Sequence, residues 1–189
     1  QYNDRVHCLH RAGKMGLGSA YREGFKMAMD EGADYIGQMD ADFSHPIDKI
    51  PLMAEKLADA HLVIGSRYVK GGKLDENWPF YRKWLSGFGN AYARFILGLP
   101  NKDVTGGFKL WRRETLQAMP MDTIKSNGYV FQVEMNYVAS KLGCKIVEIP
   151  IYFQERTMGK SKMNLKISFE AAWRTIALRF MHNDVKKVF

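Results

Sequence analysis

Short apolar runs typical of β-strands alternate along the chain with stretches whose apolar residues recur at helical spacing. The strand-like runs occupy residues 6–9, 34–39, 61–65 and 145–153, and a further short strand is predicted within residues 104–113. A chain that alternates strand and helix in this way is expected to fold as an α/β domain. The sheet of that domain is predicted to be largely parallel.

Each predicted helix carries an apolar stripe along one face. The stripes are Tyr21, Phe25 and Ala28; Ile50, Met53, Ala54 and Leu57; Trp84, Phe88, Ala91 and Phe95; and Phe131, Met135, Val138 and Leu142. A last, basic helix is predicted from about Leu165 to Met181. Ligands of open α/β sheets bind beyond the carboxyl ends of the strands, so the residues that follow the strands are candidates for function.

Two carboxylates follow one of these strands directly, in the stretch MDADFSHP. Residues two apart in an extended segment point to the same side, so Asp40 and Asp42 are able to address one cation together. Carboxylate oxygens suit a hard ion such as Mg²⁺ or Mn²⁺, whose shell is completed by water and substrate phosphates. Ser44 is a candidate third ligand, and His45 is interpreted as a cap before Pro46. A solvated turn is the alternative interpretation.

Polar and cationic residues are predicted to reach the same crevice. Ser66 and Arg67 follow the strand-like run that ends at residue 65. Arg82 and Ser86 lie one helical turn apart, so one helix face presents both to a single phosphate.

Two glycine-containing basic segments, RAGKMGLG at residues 11–18 and RTMGKSK at residues 156–162, are further candidates for phosphate binding. Glycines allow the backbone to approach a ligand closely, and the helix that follows the first segment favours anions at its N-terminus. The first segment does not match the P-loop pattern. The alternative interpretation of both segments is a solvated basic loop.

The chain of 189 residues has 28 Lys and Arg against 20 Asp and Glu, a net charge of +8. A protein with this net positive charge is expected to bind nucleic acid, an anionic membrane surface or a phosphorylated substrate. Nucleic-acid binding is disfavoured, because the basic residues cluster in glycine-containing loops and no zinc-finger, RRM or KH signature is present. A stripe near the C-terminus suits an interfacial membrane helix or a helix docked on the core. Its residues are Phe169, Trp173, Ile176 and Phe180.

The two cysteines, Cys8 and Cys144, lie in strand-like runs and show no metal-ligand spacing. We therefore expect two buried free thiols in a reducing compartment. No run reaches the ~18 consecutive apolar residues of a membrane span, and no signal-peptide pattern opens the sequence.

Seven ordered motifs resemble the dolichol-phosphate mannose synthase group of family 2 glycosyltransferases, which includes the bacterial polyprenol-phosphate mannosyltransferases. They are HRAGKMGLGSAYREGF, MDADFSHP, VIGSRYVKGG, NWPFYRKWLSGFGNAYAR, DVTGGFK, SNGYVFQVEMNYVA and VEIPIYFQERTMGKSKMN. Together they cover almost the whole chain. The resemblance implies a GT-A fold and the metal-dependent, inverting transfer of mannose from GDP-mannose to a polyprenyl or dolichyl monophosphate.

The resemblance also implies roles for the residues around the Asp pair. Asp40 and Ala41 contact the donor, and Asp42 is the principal ligand of Mg²⁺ or Mn²⁺. Asp40 and Ser44 are expected to lie beside that ion.

The cationic residues receive their roles from the same resemblance. Arg67, Arg156 and Lys162 are expected to grip the donor phosphates and the sugar. Arg82 and Ser86 are expected to receive the lipid phosphate. Catalysis is expected to depend on Asp42 together with Arg67 and Arg82.

The chain departs from the family at its beginning, because nothing in it matches the first strand, helix and second strand that read the nucleotide in family members. We therefore expect an N-terminally incomplete GT-A domain at residues 1–162, followed by a basic amphipathic helix at residues 163–189. A missing N-terminal segment or a second polypeptide is expected to complete the fold.

The expected location is the cytoplasmic face of a membrane, with peripheral contact through the last helix and the loop after Gly71. Glu134 is interpreted as a partner for a cationic residue rather than as a catalytic base. Two alternatives stay open. One is a related transferase that uses UDP-glucose or another nucleotide sugar, or that transfers to a hydroxyl group, and the other is an inactive or partner-dependent fragment.

Overall fold

The computed structural model describes residues 5–155 and 165–189, and side chains of the last helix from residue 170 onward. The elements in chain order are α1 (Leu17–Asp30), β1 (Tyr35–Gln38), a 3₁₀ turn (Ile47–Lys49), α2 (Ile50–Leu57), β2 (Leu62–Ser66), β3 (Lys73–Leu74), α3 (Phe80–Leu97), β4 (Lys109–Arg112), α4 (Arg113–Ala118), α5 (Tyr129–Lys141), β5 (Ile146–Pro150), β6 (Tyr152–Phe153) and α6 (Leu165–Met181). The predicted alternation of strands and helices is thus confirmed for most of the chain.

The main sheet has four strands in the order β1-β4-β2-β5, and a two-stranded sheet joins β3 and β6. Strands β1, β2 and β5 run in one direction, whereas β4 lies antiparallel between β1 and β2. The sheet is therefore mixed rather than largely parallel. Because β4 is reversed, its first residue, Lys109, pairs with Gln38 near the carboxyl end of β1 and with Ile64 near that of β2. The loop before β4 consequently reaches the functional edge of the sheet.

The predicted strand at residues 6–9 is not formed. Val6 and Leu9 are exposed, and no neighbouring strand within the described residues pairs with this segment. An apolar run becomes a strand only where a partner strand and a core face receive it. Cys8 is accordingly exposed, which corrects the expectation of a buried thiol. Cys144 is half-buried, and burial raises its pKa to about 12.

Helices cover both faces of the sheet. On one face, α1 and α5 pack over β1 and β2 through a cluster that includes Phe25, Ile36, Ile64, Phe131 and Met135. On the other face, α2 packs through Met53 and Leu57 against a second cluster that includes Val63, Leu110 and Ile149. The apolar stripes of α1 and α5 thus face the core as their spacing predicts, and the two innermost positions of the α2 stripe do so too.

Helix α3 forms as predicted, but its aromatic stripe faces outward. The exposed fractions of Trp84, Phe88 and Phe95 are 60%, 56% and 84%. The buried residues of α3 are Asn90, Ala93 and Leu97. Ala93 and Leu97 pack into a cluster with residues of α5 and α6, whereas Asn90 bonds to the backbone of Lys102 and Val104 after the helix. None of the helices in the described residues combines the length and the apolar character needed to cross a bilayer.

Two glycines of α1 offer a matched stability test. A Cβ atom at Gly18 would lie 2.2 Å from the carbonyl oxygen of Ser126 and 2.9 Å from Cδ2 of Phe131, whereas one at Gly24 would meet nothing within 4 Å. Gly18→Ala is therefore expected to lower the free energy of unfolding by about 1–3 kcal/mol. Gly24→Ala is expected to raise it by up to about 1 kcal/mol, because alanine favours the helix.

Urea denaturation of the two variants measures both effects against the wild type. Equal stability of Gly18→Ala and the wild type would show that α1 does not pack closely on the segment at residue 126.

Candidate active site

The Asp pair lies on a tight turn at residues 40–44, shortly after β1, which is called the Asp turn below. Asp42 Oδ1 accepts hydrogen bonds from the backbone N–H of Ser44 at 3.1 Å and from the Ser44 hydroxyl at 2.5 Å. These bonds hold Phe43 between them at a φ of 63°, a left-handed conformation that is uncommon for a bulky residue. Strain of this kind is found where a functional turn is fixed by its surroundings. The turn thus brings Asp42 and Ser44 into direct contact, and Ser44 is buried rather than solvated.

His45 reaches back to the Asp pair instead of capping Pro46. Its Nδ1 atom accepts the backbone N–H of Asp40 at 3.0 Å. The ring is 5% exposed, stacks on Phe108 with a centroid distance of 5.1 Å, and meets Phe153 at 5.4 Å. Burial lowers the pKa of His45, which keeps Nδ1 available as an acceptor.

Arg67 is bound by a carboxylate from the loop that precedes β4. Its Nε and Nη2 atoms each lie 2.8 Å from the Asp103 carboxylate, and Nη2 also donates to Thr105 Oγ1 at 2.7 Å. Burial alone would raise the pKa of Asp103, but the charge and hydrogen bonds of Arg67 hold it below its usual value. The pair therefore fixes residues 103–107 against the end of β2.

The predicted convergence of the Asp pair and Arg67 is consistent with the electrostatics around His45. The charges of Asp40, Arg67, Asp42 and Asp103 all act on the pKa of His45. These side chains consequently share one region at the carboxyl edge of β1 and β2.

Arg82 forms a second cationic site at the start of α3. Its guanidinium carbon is 3.6 Å from the centre of the Trp78 ring, and Nη1 lies 2.6 Å from Glu155 Oε1. One turn further along α3, Ser86 Oγ shares a 2.7 Å hydrogen bond with the hydroxyl of Tyr68. The helix thus presents Arg82 and Ser86 together, as their spacing predicts, with the arginine already held by a ring and a carboxylate.

The segment after β6 connects the Asp turn to Arg82. The backbone N–H of Gln154 donates to the carbonyl of Ser44 at 3.3 Å, and that of Glu155 donates to Asp75 Oδ2 at 2.7 Å. Backbone donors from Glu155 and Asn77 lower the pKa of Asp75. Residues 154 and 155 therefore bridge the two candidate phosphate sites.

Two open clefts flank the Asp turn. A cleft of about 370 Å³ is lined by Leu17, Ala20, Tyr21 and residues 39–42. Burial and the charge of Asp40 raise the pKa of Tyr21 to about 12, so its hydroxyl stays protonated. A second cleft of about 490 Å³ is lined by residues 43–49 together with Tyr152 and Gln154. Ala41 thus lies in the first cleft, beside both aspartates.

The two basic glycine segments differ in what the structure says of them. In the first, Arg11 donates to Ser19 Oγ at 2.7 Å and pairs with Glu23 at 2.9 Å, so its charge is engaged. A Cβ atom at Gly16 would lie 2.7 Å from Asn127 Oδ1, so this glycine serves close packing. Arg156 and Lys162 of the second segment lie outside the described residues, as does the side chain of Phe169.

A buried polar network behind the turn was not anticipated from the sequence. Gln132 Oε1 accepts from Gln38 Nε2 at 2.9 Å and from Lys109 Nζ at 2.8 Å. Gln38 Oε1 in turn accepts the indole N–H of Trp111 at 2.9 Å. The network ties β1, β4 and α5 together just before the Asp pair. Its only signal in the sequence was the presence of Gln38 and Lys109 within predicted strands.

Lys109 is expected to give the protein a pH-dependent stability. Burial lowers its pKa to about 7, outweighing the opposing charge of Asp103. The unfolded chain keeps a lysine pKa near 10.4, so between these values the unfolded state binds more protons. The free energy of unfolding should therefore rise with pH above about 7, by up to ~1.4 kcal/mol per pH unit.

Urea denaturation at pH 7, 8 and 9 tests this expectation in the wild type, in Lys109→Met and in Lys145→Met, which removes an exposed lysine. The increase in the free energy of unfolding with pH should be lost only in Lys109→Met. Parallel pH profiles of all three proteins would show that Lys109 does not cause the pH dependence.

Glu134 pairs with His182 just beyond α6, a residue that is cationic only when its ring is protonated. Their side chains are buried and lie 2.7 Å apart, and the backbone N–H of Ser126 donates to the second carboxylate oxygen at 2.9 Å. Burial opposes the charge of Glu134, but the bonds from His182 and Ser126 hold its pKa below the usual value. Glu134 therefore anchors α6 and lies within the protein interior.

The side chains of the Asp turn fit a divalent cation of the hard class. No group of three or more His, Cys, Asp and Glu residues within residues 5–155 and 165–189 is arranged to enclose a metal. Asp40, Asp42 and Ser44 offer oxygen donors only, next to an open cleft. This set leaves coordination positions for water and substrate phosphates, as Mg²⁺ and Mn²⁺ sites commonly do.

The helix-flanked mixed sheet, with paired carboxylates where β1 ends, has the architecture of the GT-A glycosyltransferases. Among solved structures, glucosyl-3-phosphoglycerate synthase from Mycobacterium tuberculosis in complex with Mn²⁺, uridine diphosphate and glucosyl-3-phosphoglycerate matches with a TM-score of 0.57 and 16% sequence identity. The match covers 92% of this chain and 57% of the synthase. At this identity the likeness establishes the fold alone.

The family model for Glycosyl transferase family 2 matches residues 1–119, so the chain belongs to that family. The undecaprenyl-phosphate mannosyltransferase of Micrococcus luteus is 48% identical over 166 residues, which cover 88% of this chain and 68% of that protein. The polyprenol monophosphomannose synthase of Mycolicibacterium smegmatis is 43% identical over 162 residues, or 85% of this chain and 61% of that protein. The chain thus spans about two thirds of the length of these relatives.

Proposed function

We propose that this protein transfers mannose from GDP-mannose to a polyprenyl monophosphate, with inversion at the anomeric carbon. The observation that carries the proposal is the 48% identity, over 88% of the chain, to a protein named undecaprenyl-phosphate mannosyltransferase. The geometry supports it, because the carboxylate pair and Arg67 lie at the carboxyl edge of β1 and β2, and residues 154 and 155 link that edge to Arg82. A reaction between two phosphate-bearing substrates requires charges of both signs in this way.

The donor diphosphate is proposed to bind at the Asp turn. Asp42, with Asp40 and Ser44, would hold a Mg²⁺ or Mn²⁺ ion, and Ala41 would contact the donor. When bound, such an ion supplies Lewis-acid neutralisation of the leaving diphosphate. Arg67 is proposed to help bind the donor, and its pairing with Asp103 also fixes residues 103–107 at the site.

The remaining contacts to the donor are proposed to come from residues that follow β6 in the sequence. Arg156 and Lys162 would contact the donor phosphates and the sugar. Both lie outside the described residues. Arg156 directly follows Glu155, which pairs with Arg82, and Lys162 is the seventh residue after Glu155.

The acceptor phosphate is proposed to bind at Arg82 and Ser86. A polyprenyl phosphate is already an anion at neutral pH, so its attack needs positioning and charge stabilisation more than a strong base. The guanidinium of Arg82 is held over Trp78 and carries further N–H donors besides the one directed at Glu155. Arg82 would thereby align the acceptor oxygen with the anomeric carbon.

A radiolabel transfer assay tests the proposal. The full-length protein is incubated with undecaprenyl phosphate, Mn²⁺ and either GDP-mannose or UDP-glucose labelled in the sugar, and lipid-linked label is extracted. Transfer from GDP-mannose well above that from UDP-glucose is expected. If the lipid were labelled only from UDP-glucose, GDP-mannose would be excluded as the donor. If label were found only in an acceptor with a hydroxyl group, polyprenyl phosphate would be excluded as the acceptor.

Peripheral contact with an anionic membrane, at its cytoplasmic face, is proposed to run through α3 and α6. The two helices pack together, with Tyr92 donating to the carbonyl of Ala172 and Arg179 donating to the carbonyl of Ile96. Each leaves aromatic residues in solvent, Trp84, Phe88 and Phe95 on α3, and Trp173 and Phe180 on α6. By contrast, residues 71–79 expose no large apolar side chain, so α3 replaces the loop after Gly71 in this proposal.

Vesicle co-sedimentation tests the α3 surface. The double substitution Trp84→Ser and Phe88→Ser is expected to weaken binding to phosphatidylglycerol vesicles by about tenfold or more, because it removes two exposed rings that would enter the interface. Tyr35→Ser, which removes an exposed ring from β1, is the matched control. Equal binding by the double variant and the control would exclude α3 from the membrane contact.

A further inference from the structure

The backbone of the Asp turn is fixed by two independent hydrogen-bond systems. One is local, from Ser44 to the Asp42 carboxylate. In the other, the backbone N–H of Asp40 donates to the ring nitrogen Nδ1 of His45. Since β1 ends at Gln38, the N–H of Asp40 lies beyond the strand and takes its acceptor from a side chain. The first system fixes Asp42 and the second fixes Asp40.

The His45 ring is itself tightly positioned. It is buried, stacks nearly parallel to Phe108 at an interplanar angle of 14°, and meets Phe153 at 59°. A Cβ atom added at Gly107 would lie 3.6 Å from His45 Cε1 and 3.7 Å from Asp40 Oδ1. The imidazole and the Asp40 carboxylate therefore lie side by side over the same glycine, at the loop that leads into β4.

We propose that His45 is a positioning residue for the donor site, whose Nδ1 atom fixes the main chain at Asp40 and so aims the Asp40 carboxylate at the metal and diphosphate. This role rests on the proposed function and adds a residue that does not itself touch the substrate. The ring packing of His45 stabilises the turn as well, so an experiment has to separate the acceptor atom from the ring.

Two substitutions make that separation. His45→Asn places an amide oxygen near the position of Nδ1 and so keeps an acceptor for Asp40, while it loses the stacked ring. His45→Phe keeps a ring on Phe108 and loses the acceptor. If His45→Phe does not fold, His45→Gln replaces it, because its amide mimics Nε2 rather than Nδ1.

The measurements are Mn²⁺-dependent binding of GDP by calorimetry, and kcat and KM with GDP-mannose and undecaprenyl phosphate. His45→Asn should stay within about threefold of the wild type in GDP affinity. His45→Phe should lose about tenfold or more in both GDP affinity and kcat/KM for GDP-mannose, with KM for the lipid acceptor unchanged. In GDP affinity, His45→Phe combined with Asp40→Ala should be no weaker than Asp40→Ala alone, because both act through one carboxylate.

Three results would overturn the role. His45→Phe could bind GDP as the wild type does, His45→Asn could fail as severely as His45→Phe, or the losses from His45→Phe and Asp40→Ala could be additive. If the wild type transferred mannose and bound GDP with Mn²⁺ normally in any of these cases, the proposed function would stand and only the His45 role would fall. Absence of Mn²⁺-dependent GDP binding by the wild type would overturn both.

Discussion

Replacing Asp42 with Asn is expected to reduce mannosyl transfer by about 1,000-fold or more, while the turn around it keeps its shape. The asparagine oxygen is still able to accept the bonds that Ser44 donates to Asp42 Oδ1. What is lost is the negative charge needed to hold a divalent cation against the donor diphosphate, a contribution worth several kcal/mol in the transition state. The assay is the initial rate of transfer from GDP-mannose over a series of Mn²⁺ concentrations.

A control for this substitution lies six residues away. Asp48 is an exposed acid in the 3₁₀ turn that follows, and its carboxylate pairs with Lys49 at 3.3 Å. Asp48→Asn removes the same charge and should leave both the rate and the Mn²⁺ dependence close to those of the wild type. An Asp42→Asn protein that is still activated by Mn²⁺ at wild-type concentrations would refute the metal assignment.

Much of the fold follows from periodicity, because a helix or strand that packs on one side repeats its apolar residues at its own spacing. The stripe of Phe131, Met135 and Val138 predicts α5 and its contact with the sheet correctly, although residues 130–139 are buried on every side of the helix. Helix α3 shows the limit of this reasoning. Its aromatic stripe predicts the helix but faces solvent, since the side packed against α5 and α6 is filled by Ala93 and Leu97.

The direction of β4 could not be predicted either, because strand direction depends on how the chain returns after α3 and not on the local pattern. Because β4 runs in the opposite direction to β1 and β2, its first residue, Lys109, lies at the functional edge of the sheet. A parallel strand would have placed its last residue there. The segment at residues 6–9 fails for a related reason. Its apolar residues resemble a strand, but none of the described strands lies beside it.

The candidate site divides in the same way between local and distant contacts. The Asp pair with Ser44 was predictable because all three residues lie within one turn. The pairing of Arg67 with Asp103, 36 residues later, was not, because the loop before β4 supplies the carboxylate only after the sheet has assembled. His45 was adjacent in sequence, yet its bond back to Asp40 required the chain to turn through Phe43.

Replacing Arg82 with Met is expected to lower kcat/KM for the polyprenyl phosphate by about 100- to 1,000-fold. The guanidinium lies over the Trp78 ring at the start of α3, and charge-assisted bonds to phosphate are among the strongest that a side chain makes. The affinity for GDP with Mn²⁺ should stay unchanged, because the donor is proposed to bind at the Asp turn. Steady-state kinetics with undecaprenyl phosphate varied at saturating GDP-mannose give the comparison.

Two further variants test whether a lower kcat/KM of Arg82→Met for the polyprenyl phosphate is caused by weaker binding of the acceptor. Lys83→Met removes a neighbouring charge on α3, whose Nζ donates to the carbonyl of Glu76, and should have little effect. Glu155→Gln should act in the opposite direction and lower KM for the acceptor, because the Glu155 carboxylate holds Nη1 of Arg82 at 2.6 Å and competes with phosphate. If Arg82→Met weakened GDP binding as strongly as acceptor use, Arg82 would belong to the donor site, and the acceptor phosphate would have to be received elsewhere.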